Sequence, residues 1–235
     1  MAIDQDRRTV AKLPIRGWLA DCSVPFREEF LALARPMSVP AGSVVYRAGD
    51  VARDLFGVCS GVVLLQCRFV HPDAEMLHML RAGEWIGTMD WLSERTRRFS
   101  VVASTDVELI RIPGDEMLAL LHRRPEGFIK LGHNAGYGLD VAIQCAVDLL
   151  IKDASARCAA VLLRLAGRRW ATEPDADLPS EIPVTQAQLA MLCNVSRKTF
   201  SRVVGEFAKQ GLVTVGYKSL TVNDPVRLRR ALDLG

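Results

Sequence analysis

Five short β-rich runs follow one another between Val44 and Ile112, and turn residues separate each run from the next. Runs of this kind, with glycine-containing turns about every ten residues, are typical of a β-sandwich or barrel. Two of the runs are apolar on both faces, which favours burial on both sides. The sequence therefore predicts a closed, double-layered β structure. Its runs are Val44–Tyr46, Leu55–Cys59, Val62–Leu65, Met76–Leu80 and Val107–Ile112.

Helical periodicity replaces the β pattern after Pro113-Gly114-Asp115, and the longest helical pattern in the chain runs from Phe128 to Ile151. On one face of this helix, apolar residues recur at spacings of three and four residues. That face fits two interpretations: it packs on its own domain, or it forms the seam between the two helices of a dimer. The seam residues are Leu139, Ile143, Ala146 and Leu150, and the polar stripe holds Asp140, Gln144, Asp148 and Lys152.

Two short, capped helices near the C-terminus predict a helix-turn-helix unit. Thr185 is placed to cap the first helix and Ser196 the second, and a turn of three to four residues joins them. The apolar residues of the second helix share one face, so its polar first turns are free to enter the major groove of DNA. A β-hairpin wing follows Gly211. The candidate DNA-binding residues are Thr185, Ser196, Arg197, Lys198, Thr199, Ser201, Arg202 and, in the wing, Lys218.

The formal net charge of +3 conceals an asymmetry along the chain. Residues 153–235 carry 12 Lys and Arg against 8 Asp and Glu, whereas residues 1–152 carry 18 against 19. Between Thr185 and Lys218 the only acidic residue is Glu206. A basic, compact segment suits a nucleic-acid-binding module, because affinity for DNA comes largely from counterions displaced from the phosphates.

Composition and spacing exclude several function classes. The 235 residues are 49% hydrophobic and 24% charged, as in an ordinary globular protein. The chain has no apolar run of about 18 residues that would span a membrane, and its N-terminus is not a secretory signal. Six dispersed cysteines, without a C-x-x-C pair, predict free thiols in a reducing cytoplasm. No catalytic triad, paired-carboxylate or metal constellation is recognisable, so we do not expect an enzyme.

From the β-rich runs to the wing, the chain resembles the CRP/FNR family of bacterial transcription regulators. Val195–Arg202 is similar to the family's recognition motif S-R-x-T-[V/L/I]-[S/G]-R, and Gly83–Gly87 is similar to G-[D/E]-x-[F/I]-G, which opens its phosphate-binding cassette. Arg98–Ala103 resembles the end of that cassette, and Asp153–Arg157 resembles the family's hinge. The resemblance implies an α+β fold with an N-terminal double-stranded, jelly-roll-like β-roll (1–125), a long dimerisation helix (126–152) and a C-terminal winged helix-turn-helix (153–235).

The resemblance also implies a function. We expect a cytoplasmic homodimer that binds double-stranded DNA at a pseudo-palindromic operator, contacts RNA polymerase and regulates transcription. Two alternatives are a regulatory module that binds a cyclic nucleotide in a divergent pocket and acts mainly through protein contacts, and an enzyme acting on a nucleotide. The complete DNA reader in the C-terminal third disfavours the first, and the lack of a recognisable catalytic constellation disfavours the second.

The cyclic-nucleotide pocket that the resemblance implies is degenerate. Thr88 stands where cyclic-AMP-binding members have a ribose-binding Glu, and Phe99 replaces the hydroxyl residue beside the phosphate-pairing Arg, which is kept as Arg98. Ala142 and Ile143 replace the Thr-Ser pair that reads adenine. Each lost hydrogen bond costs on the order of 1 kcal/mol, so four losses weaken binding by roughly a thousandfold or more. We therefore expect an effector other than cyclic AMP, or none. The pocket positions are Gly87, Thr88, Arg98, Phe99, Ala142 and Ile143.

No cofactor is expected. An iron–sulfur sensor needs several N-terminal thiolates, and only Cys22 lies within the first 58 residues. A haem sensor needs an axial ligand, but a lone histidine in a turn or helix is more often a surface group. Apolar side chains are expected to fill the pocket, either closing it or shaping it for an uncharged ligand. The histidines are His71, His78, His122 and His133, and the apolar side chains are Trp85, Met89, Trp91 and Phe99.

Lys198 departs from the family at a position that reads bases. The family often has Glu there, which accepts a hydrogen bond from cytosine N4, whereas a lysine cannot accept and favours guanine or a phosphate. Arg197 and Arg202 match basic positions that contact guanine or phosphate in the family. We therefore expect a half-site that departs from the TGTGA-like or TTGAT-like consensus at the base pair read by Lys198.

Overall fold

The computed structural model of the protein describes residues 9–67, 78–169 and 177–232. The predictions for His71, Met76 and Leu77 lie outside these residues. The chain divides into two compact units, residues 1–75 with 79–140 and residues 76–78 with 141–235.

Among the described residues, the helices are α1 Val24–Ala32, α2 Thr88–Leu92, α3 Gly114–Arg123, α4 Glu126–Leu150, α5 Ala154–Ala166, α6 Gln186–Leu192, α7 Arg197–Lys209 and α8 Pro225–Arg230. The strands are β1 Arg35–Val39, β2 Val44–Tyr46, β3 Asp54–Ser60, β4 Val62–Gln66, β5 His78–Arg81, β6 Trp85–Ile86, β7 Ser100–Ala103, β8 Val107–Pro113, β9 Ser180–Ile182, β10 Val213–Gly216 and β11 Ser219–Val222.

Two four-stranded sheets form the N-terminal β-roll. One has the strand order β1-β8-β3-β6 and the other β2-β7-β4-β5. Strand β3 is buried on both faces, because Phe56 and Val58 join an apolar cluster between the sheets, while Leu55 and Cys59 join a second cluster with α1 and α3. The predicted double-layered β structure is therefore confirmed.

The cluster on the helical side of the roll is rich in aromatic rings. The centroid of the Trp85 ring lies 5.4 Å from those of Trp18 and Phe30. Each such side chain contributes about 1.5–3 kcal/mol when it is fully buried. The prediction that Trp85 fills the nucleotide pocket was wrong, because neighbouring residues of a strand face opposite sides. Ile86 is the residue of β6 that lies between the sheets.

The long helix is confirmed as α4, and its seam residues are exposed. The exposed fractions are 59% for Leu139, 52% for Ile143 and 78% for Leu150, and Ala146 is exposed as well. The described residues of the chain therefore leave this face uncovered. That observation favours a dimer seam over packing on the helix's own domain.

Asp148 was wrongly predicted to belong to a polar stripe of α4. Its side chain is buried, with Oδ2 2.8 Å from Nε of Arg164 on α5 and Oδ1 3.1 Å from Nη2 of Arg169. The side chains of Arg164 and Arg169 are buried too, with exposed fractions of 3% and 10%. This ion cluster joins the last turns of α4 to α5. Asp153 caps α5, because its Oδ1 accepts a hydrogen bond from the Ala156 amide at 2.7 Å.

The C-terminal unit has the helices and wing of a winged helix-turn-helix. Helices α6 and α7 pack on each other and α7 packs on α5. Strands β10 and β11 form the predicted hairpin, and β9 adds a third strand by pairing Ile182 with Leu220. The sequence pattern did not predict strand β9. The sheet order is β10-β11-β9.

Candidate functional site

The first turns of α7 present a polar surface. Ser196 caps the helix, because its Oγ accepts a hydrogen bond from the Thr199 amide at 3.1 Å. The opposite face of α7 is buried through Phe200, Val203, Val204 and Phe207. This packing fixes which side chains face solvent. Ser196, Arg197, Lys198, Ser201 and Arg202 are exposed, and Thr199 is half-buried.

Thr185 belongs to the cap of α6. Its Oγ1 accepts a hydrogen bond from the Gln188 amide at 3.3 Å, and its own amide donates to Oε1 of Gln188 at 2.8 Å. The Thr185 hydroxyl also lies 2.9 Å from that same oxygen. This reciprocal capping box holds the first turn of α6 in place. Thr185 therefore has a structural role beside the predicted contact with DNA.

Arg157 fastens the turn between α6 and α7 to the hinge, a role that the sequence analysis missed. Its Nε donates to the carbonyl of Cys193, the C-cap residue of α6, at 2.7 Å. Its Nη1 donates to the carbonyls of Ile151 and Lys152, which follow α4. The one guanidinium thus joins the end of α4 to the turn that precedes α7. The hinge motif contains Arg157, but the motif does not show that this arginine binds the carbonyl of Cys193.

Arg202 has a partner on its own helix. Its Nη1 lies 2.8 Å from Oε1 of Glu206, one turn further on, and both side chains are largely exposed. Exposed pairs at this spacing contribute only about 0.3–0.5 kcal/mol. Glu206 therefore orients Arg202 without holding it strongly, and the guanidinium is available to an anion or a base edge.

The wing ends in two exposed residues. Tyr217 and Lys218 connect β10 to β11, and Lys218 has a left-handed backbone with φ of 55°. Tyr217 is 89% exposed, and the Lys218 ammonium lies 5.4 Å from its ring centre. The sequence predicted a role for Lys218 and none for Tyr217.

In the β-roll, two of the predicted pocket residues already have partners in the chain. Arg98 is paired with Asp90, whose Oδ1 lies 2.7 Å from Nε, and the Arg98 side chain is 43% exposed. Thr88 is buried, and its hydroxyl accepts a hydrogen bond from Nδ2 of Asn134 on α4 at 2.6 Å. The positive charge of Arg98 is therefore already balanced by a carboxylate.

Arg97, which the sequence analysis did not single out, is the buried arginine of this region. It is 3% exposed, its guanidinium lies 4.4 Å from the centre of the Tyr46 ring, and it donates to the carbonyls of Gly87 and Asp54. Gly87 has φ of 93°, and a Cβ there would lie 2.4 Å from Nη1 of Arg97. Glycine is therefore required for the turn and for the approach of the guanidinium.

The remaining pocket residues have different surroundings. Ala142 and Ile143 lie on α4 in the second unit and are exposed, and Phe99 is half-buried. Met89 is 43% exposed. Trp91 lines a surface groove of about 530 Å³ together with Arg53 and Leu118.

Two absences hold for the residues with a described structure. Within them, no helix is both long enough and apolar enough to cross a membrane. Over the same residues, no group of three or more His, Cys, Asp or Glu side chains is arranged to hold a metal ion.

Two family models match successive parts of the chain. A cyclic nucleotide-binding domain matches residues 36–124, and a Crp-like helix-turn-helix domain matches residues 156–231. The first match covers most of the β-roll and the second covers α6, α7 and the wing.

Relatives and solved structures match over most of their length. The cyclic AMP receptor protein of Thermus thermophilus is 31% identical over 193 residues, which are 80% of this chain and 84% of that protein. A CRP-like cAMP-activated global transcriptional regulator of Mycobacterium tuberculosis is 26% identical over 196 residues, 83% of this chain and 87% of its own. A solved transcriptional regulator of the CRP/FNR family from Thermus thermophilus has a TM-score of 0.62 and 25% identity, covering 85% of this chain and 98% of that one.

Proposed function

Because the chain belongs to the CRP/FNR family of transcription regulators, we propose that it is a homodimer whose two winged helices bind a pseudo-palindromic operator. The observation that carries the proposal is the capped helix α7, which buries an apolar face and exposes the polar side chains of its first turns. A two-fold axis would place the two α7 helices in major grooves about one helical turn apart. RNA polymerase is the proposed partner of the bound dimer, and the cytoplasm is its proposed location.

The proposed domains have separate roles. Residues 1–125 form a sensor, residues 126–152 a dimerisation helix and residues 153–235 a DNA reader. On α7, the planar guanidinium groups of Arg197 and Arg202 form bidentate hydrogen bonds with guanine O6 and N7. Ser196, Thr199 and Ser201 are placed to donate to bases or phosphates, and Lys218 in the wing to bind a phosphate.

The exposed apolar face of α4 supports the dimer. Besides the four seam residues it includes Ile129, which is 64% exposed. Gly132 and Gly136 lie on the same face, and a Cβ at either position would meet no atom within 4 Å. Packing within the described chain therefore does not require glycine there, whereas close approach of a second α4 would use the space.

Arg202→Ala is expected to weaken operator binding by about 1–3 kcal/mol and to relax selectivity at one base position. Lys218→Ala is expected to weaken binding equally for all sequences and to reduce the slope of log K against log salt by about one. Fluorescence anisotropy across a salt series, with the operator and single-base variants, separates the two effects. Lys209→Ala, at the exposed far end of α7, is the matched control. Equal weakening on every DNA by Arg202→Ala would contradict its role in base readout.

Lys198→Glu is expected to change which operator the protein selects. A carboxylate accepts a hydrogen bond from cytosine N4, so the variant should shift one position of the half-site toward the family's usual consensus. Selection from random DNA with both proteins measures this shift. If the unaltered protein already recovers the family consensus, and Lys198→Glu makes no difference, Lys198 does not read a base.

Cyclic AMP is not the proposed effector. Ala142 and Ile143 have no hydroxyl group that could bind the adenine base. The guanidinium of Arg98 already forms an ion pair with Asp90. A ligand that binds only the folded protein must raise its Tm. We expect cyclic AMP at about 1 mM to leave both the Tm and the affinity for DNA unchanged, as measured by thermal shift and anisotropy. A rise of several degrees would refute this expectation.

One observation favours the second candidate, a module that binds another nucleotide in a divergent pocket. Arg97 places a buried positive charge beside Tyr46 and Gly87, where an anionic ligand could replace the backbone carbonyls as its partner. A thermal-shift screen across nucleotides and metabolites, with Arg97→Lys as the comparison, tests it. A ligand that raises the Tm of the protein but not of the variant would favour this candidate.

A further inference from the structure

One compact unit of the chain contains both the proposed seam and the DNA reader. Ile143 and Leu150, on the last turns of α4, belong to residues 141–235, and so does all of α7. In the proposed dimer a two-fold axis runs beside the seam, so the distance between the two copies of α7 depends on how each chain holds its α7 relative to α4. The contacts that fix this relation within one chain therefore decide which separation of half-sites the dimer can bind.

The guanidinium of Arg157 lies between the ends of two helices. Arg157 is half-buried on α5. Its Nε donates to the carbonyl of Cys193 at 2.7 Å, and its Nη1 donates to the carbonyl of Ile151 and, at 3.3 Å, to that of Lys152. Carbonyls at the C-terminal end of a helix have no partner within the helix and carry its negative partial charge. One cation therefore binds carbonyls at the ends of α4 and α6 together.

The Cys193 carbonyl belongs to the turn that precedes α7. Asn194, the next residue, has a left-handed backbone with φ of 49°, and its amide donates to the carbonyl of Met191 at 3.0 Å. The turn is therefore closed onto α6, and Ser196, the N-cap of α7, follows it directly. Because the turn is this short, holding the Cys193 carbonyl also holds the first turn of α7.

The shape of the arginine side chain suits this position. Its Nε and Nη1 lie in one rigid plane and donate in fixed directions, so a shift of either helix end would break a hydrogen bond. A lysine carries the same charge as a single point on a flexible stem and cannot hold both ends in one geometry. The ion pair of Asp148 with Arg164 joins α4 to α5, whereas the contacts of Arg157 extend to the turn before α7.

We propose that Arg157 is a positioning residue that determines the spacing between the half-sites of the operator. It acts by tying the turn before α7 to the end of α4. One base pair added between the half-sites moves them about 3.4 Å further apart and rotates them by about 35° about the DNA axis. A dimer whose α7 helices are held in place loses base contacts on such a site, and the loss of one bidentate contact weakens binding about five- to 150-fold. This inference rests on the proposed function.

The test compares operators that differ only in the length of the spacer. The full-length protein is titrated, by fluorescence anisotropy, with the inverted repeat selected from random DNA and with versions in which one central base pair is added or removed. The unaltered protein should prefer the original spacing by about five- to 150-fold. Arg157→Met, which removes every donor, should bring this ratio close to one, and Arg157→Lys should lower it as well.

Arg168→Lys is the matched control. Arg168 also donates to backbone carbonyls of the same unit, those of Leu178 and Gly167, at 3.0 and 2.9 Å. These carbonyls belong neither to α4 nor to the turn before α7. The control should therefore keep the preference for the original spacing.

A second measurement does not depend on DNA. The amide of Val195 donates to the carbonyl of Ala190 at 3.1 Å, so its hydrogen exchange reports the opening of the turn. In Arg157→Met this exchange should become about ten- to 150-fold faster relative to amides in the middle of α5, because hydrogen bonds from a charged group are lost. Arg168→Lys should leave it unchanged.

Equal weakening of binding to all three operators by Arg157→Met would overturn the proposal, because a residue that only stabilises the fold has that effect. Unchanged exchange at Val195 would overturn it as well. If the unaltered protein selects no inverted repeat, the proposed function fails, and exchange at Val195 still decides whether Arg157 holds the turn. Arg157→Lys keeps the positive charge and gives the result if Arg157→Met fails to fold.

Discussion

Asp148→Asn is expected to lower the free energy of unfolding of the C-terminal unit by about 3–5 kcal/mol, the usual cost of removing one partner from a buried ion pair. The substitution removes the charge that two buried guanidinium groups contact, at 2.8 Å for Arg164 and 3.1 Å for Arg169. An amide cannot balance them, so both would remain charged in a poorly solvated site. Amide hydrogen exchange in α5 should become faster by roughly 150- to 5,000-fold.

Asp140→Asn is the matched control for this variant. Asp140 lies on the same helix and is exposed, so its substitution should change stability by less than about 0.5 kcal/mol. The ratio of exchange rates between the two variants isolates the contribution of the buried cluster. Equal exchange in α5 for the two variants would show that the cluster does not hold α4 to α5.

Ile143→Glu is expected to convert the proposed dimer into monomers. Ile143 is 52% exposed in the centre of the apolar face of α4. In the proposed dimer, the substitution places two carboxylates beside the two-fold axis in an apolar interface. The dissociation constant of the dimer should rise by about a hundredfold or more, which is roughly 2.7 kcal/mol. Sedimentation velocity over a concentration series measures it.

Gln144→Glu controls for the added charge. Gln144 neighbours Ile143 but lies on the half-buried flank of α4, away from the proposed seam. This variant should remain dimeric and keep its affinity for the operator, whereas Ile143→Glu should lose most of it because each half-site then binds alone. A monomeric unaltered protein, or an Ile143→Glu variant that stays dimeric, would contradict the assignment of the seam.

Local signals explain why the helices of the DNA reader could be predicted. Ser196 and Asp153 cap helices through hydrogen bonds to residues three positions away, and the apolar spacing of α7 matches the face that is buried. Both signals are contained in one segment of sequence. The short strands gave weaker signals. Strand β9 is held by β11, its partner some forty positions later in the sequence, so nothing in the segment itself marks it as a strand.

Contacts between distant residues explain why some side-chain environments could not be predicted from the sequence. The periodicity of α4 assigns Asp148 to the polar stripe. Its side chain is buried because it pairs with Arg164 and Arg169, which follow the hinge in the sequence. The two adjacent arginines of the β-roll show a second limit of prediction from sequence. Arg97 and Arg98 are neighbours, and the structure buries the first and pairs the second with Asp90. Matching a motif does not decide which of two adjacent side chains faces inward.

Selection from random double-stranded DNA tests whether two copies of the chain together recognise an inverted repeat. The full-length, reduced protein is incubated with the pool at low salt, and the retained DNA is sequenced after several rounds. We expect an inverted repeat whose half-site centres lie about 10 base pairs apart, and we expect Ile143→Glu to abolish its enrichment. Retention of no DNA at low salt, or enrichment of sequences without an inverted repeat, would contradict it.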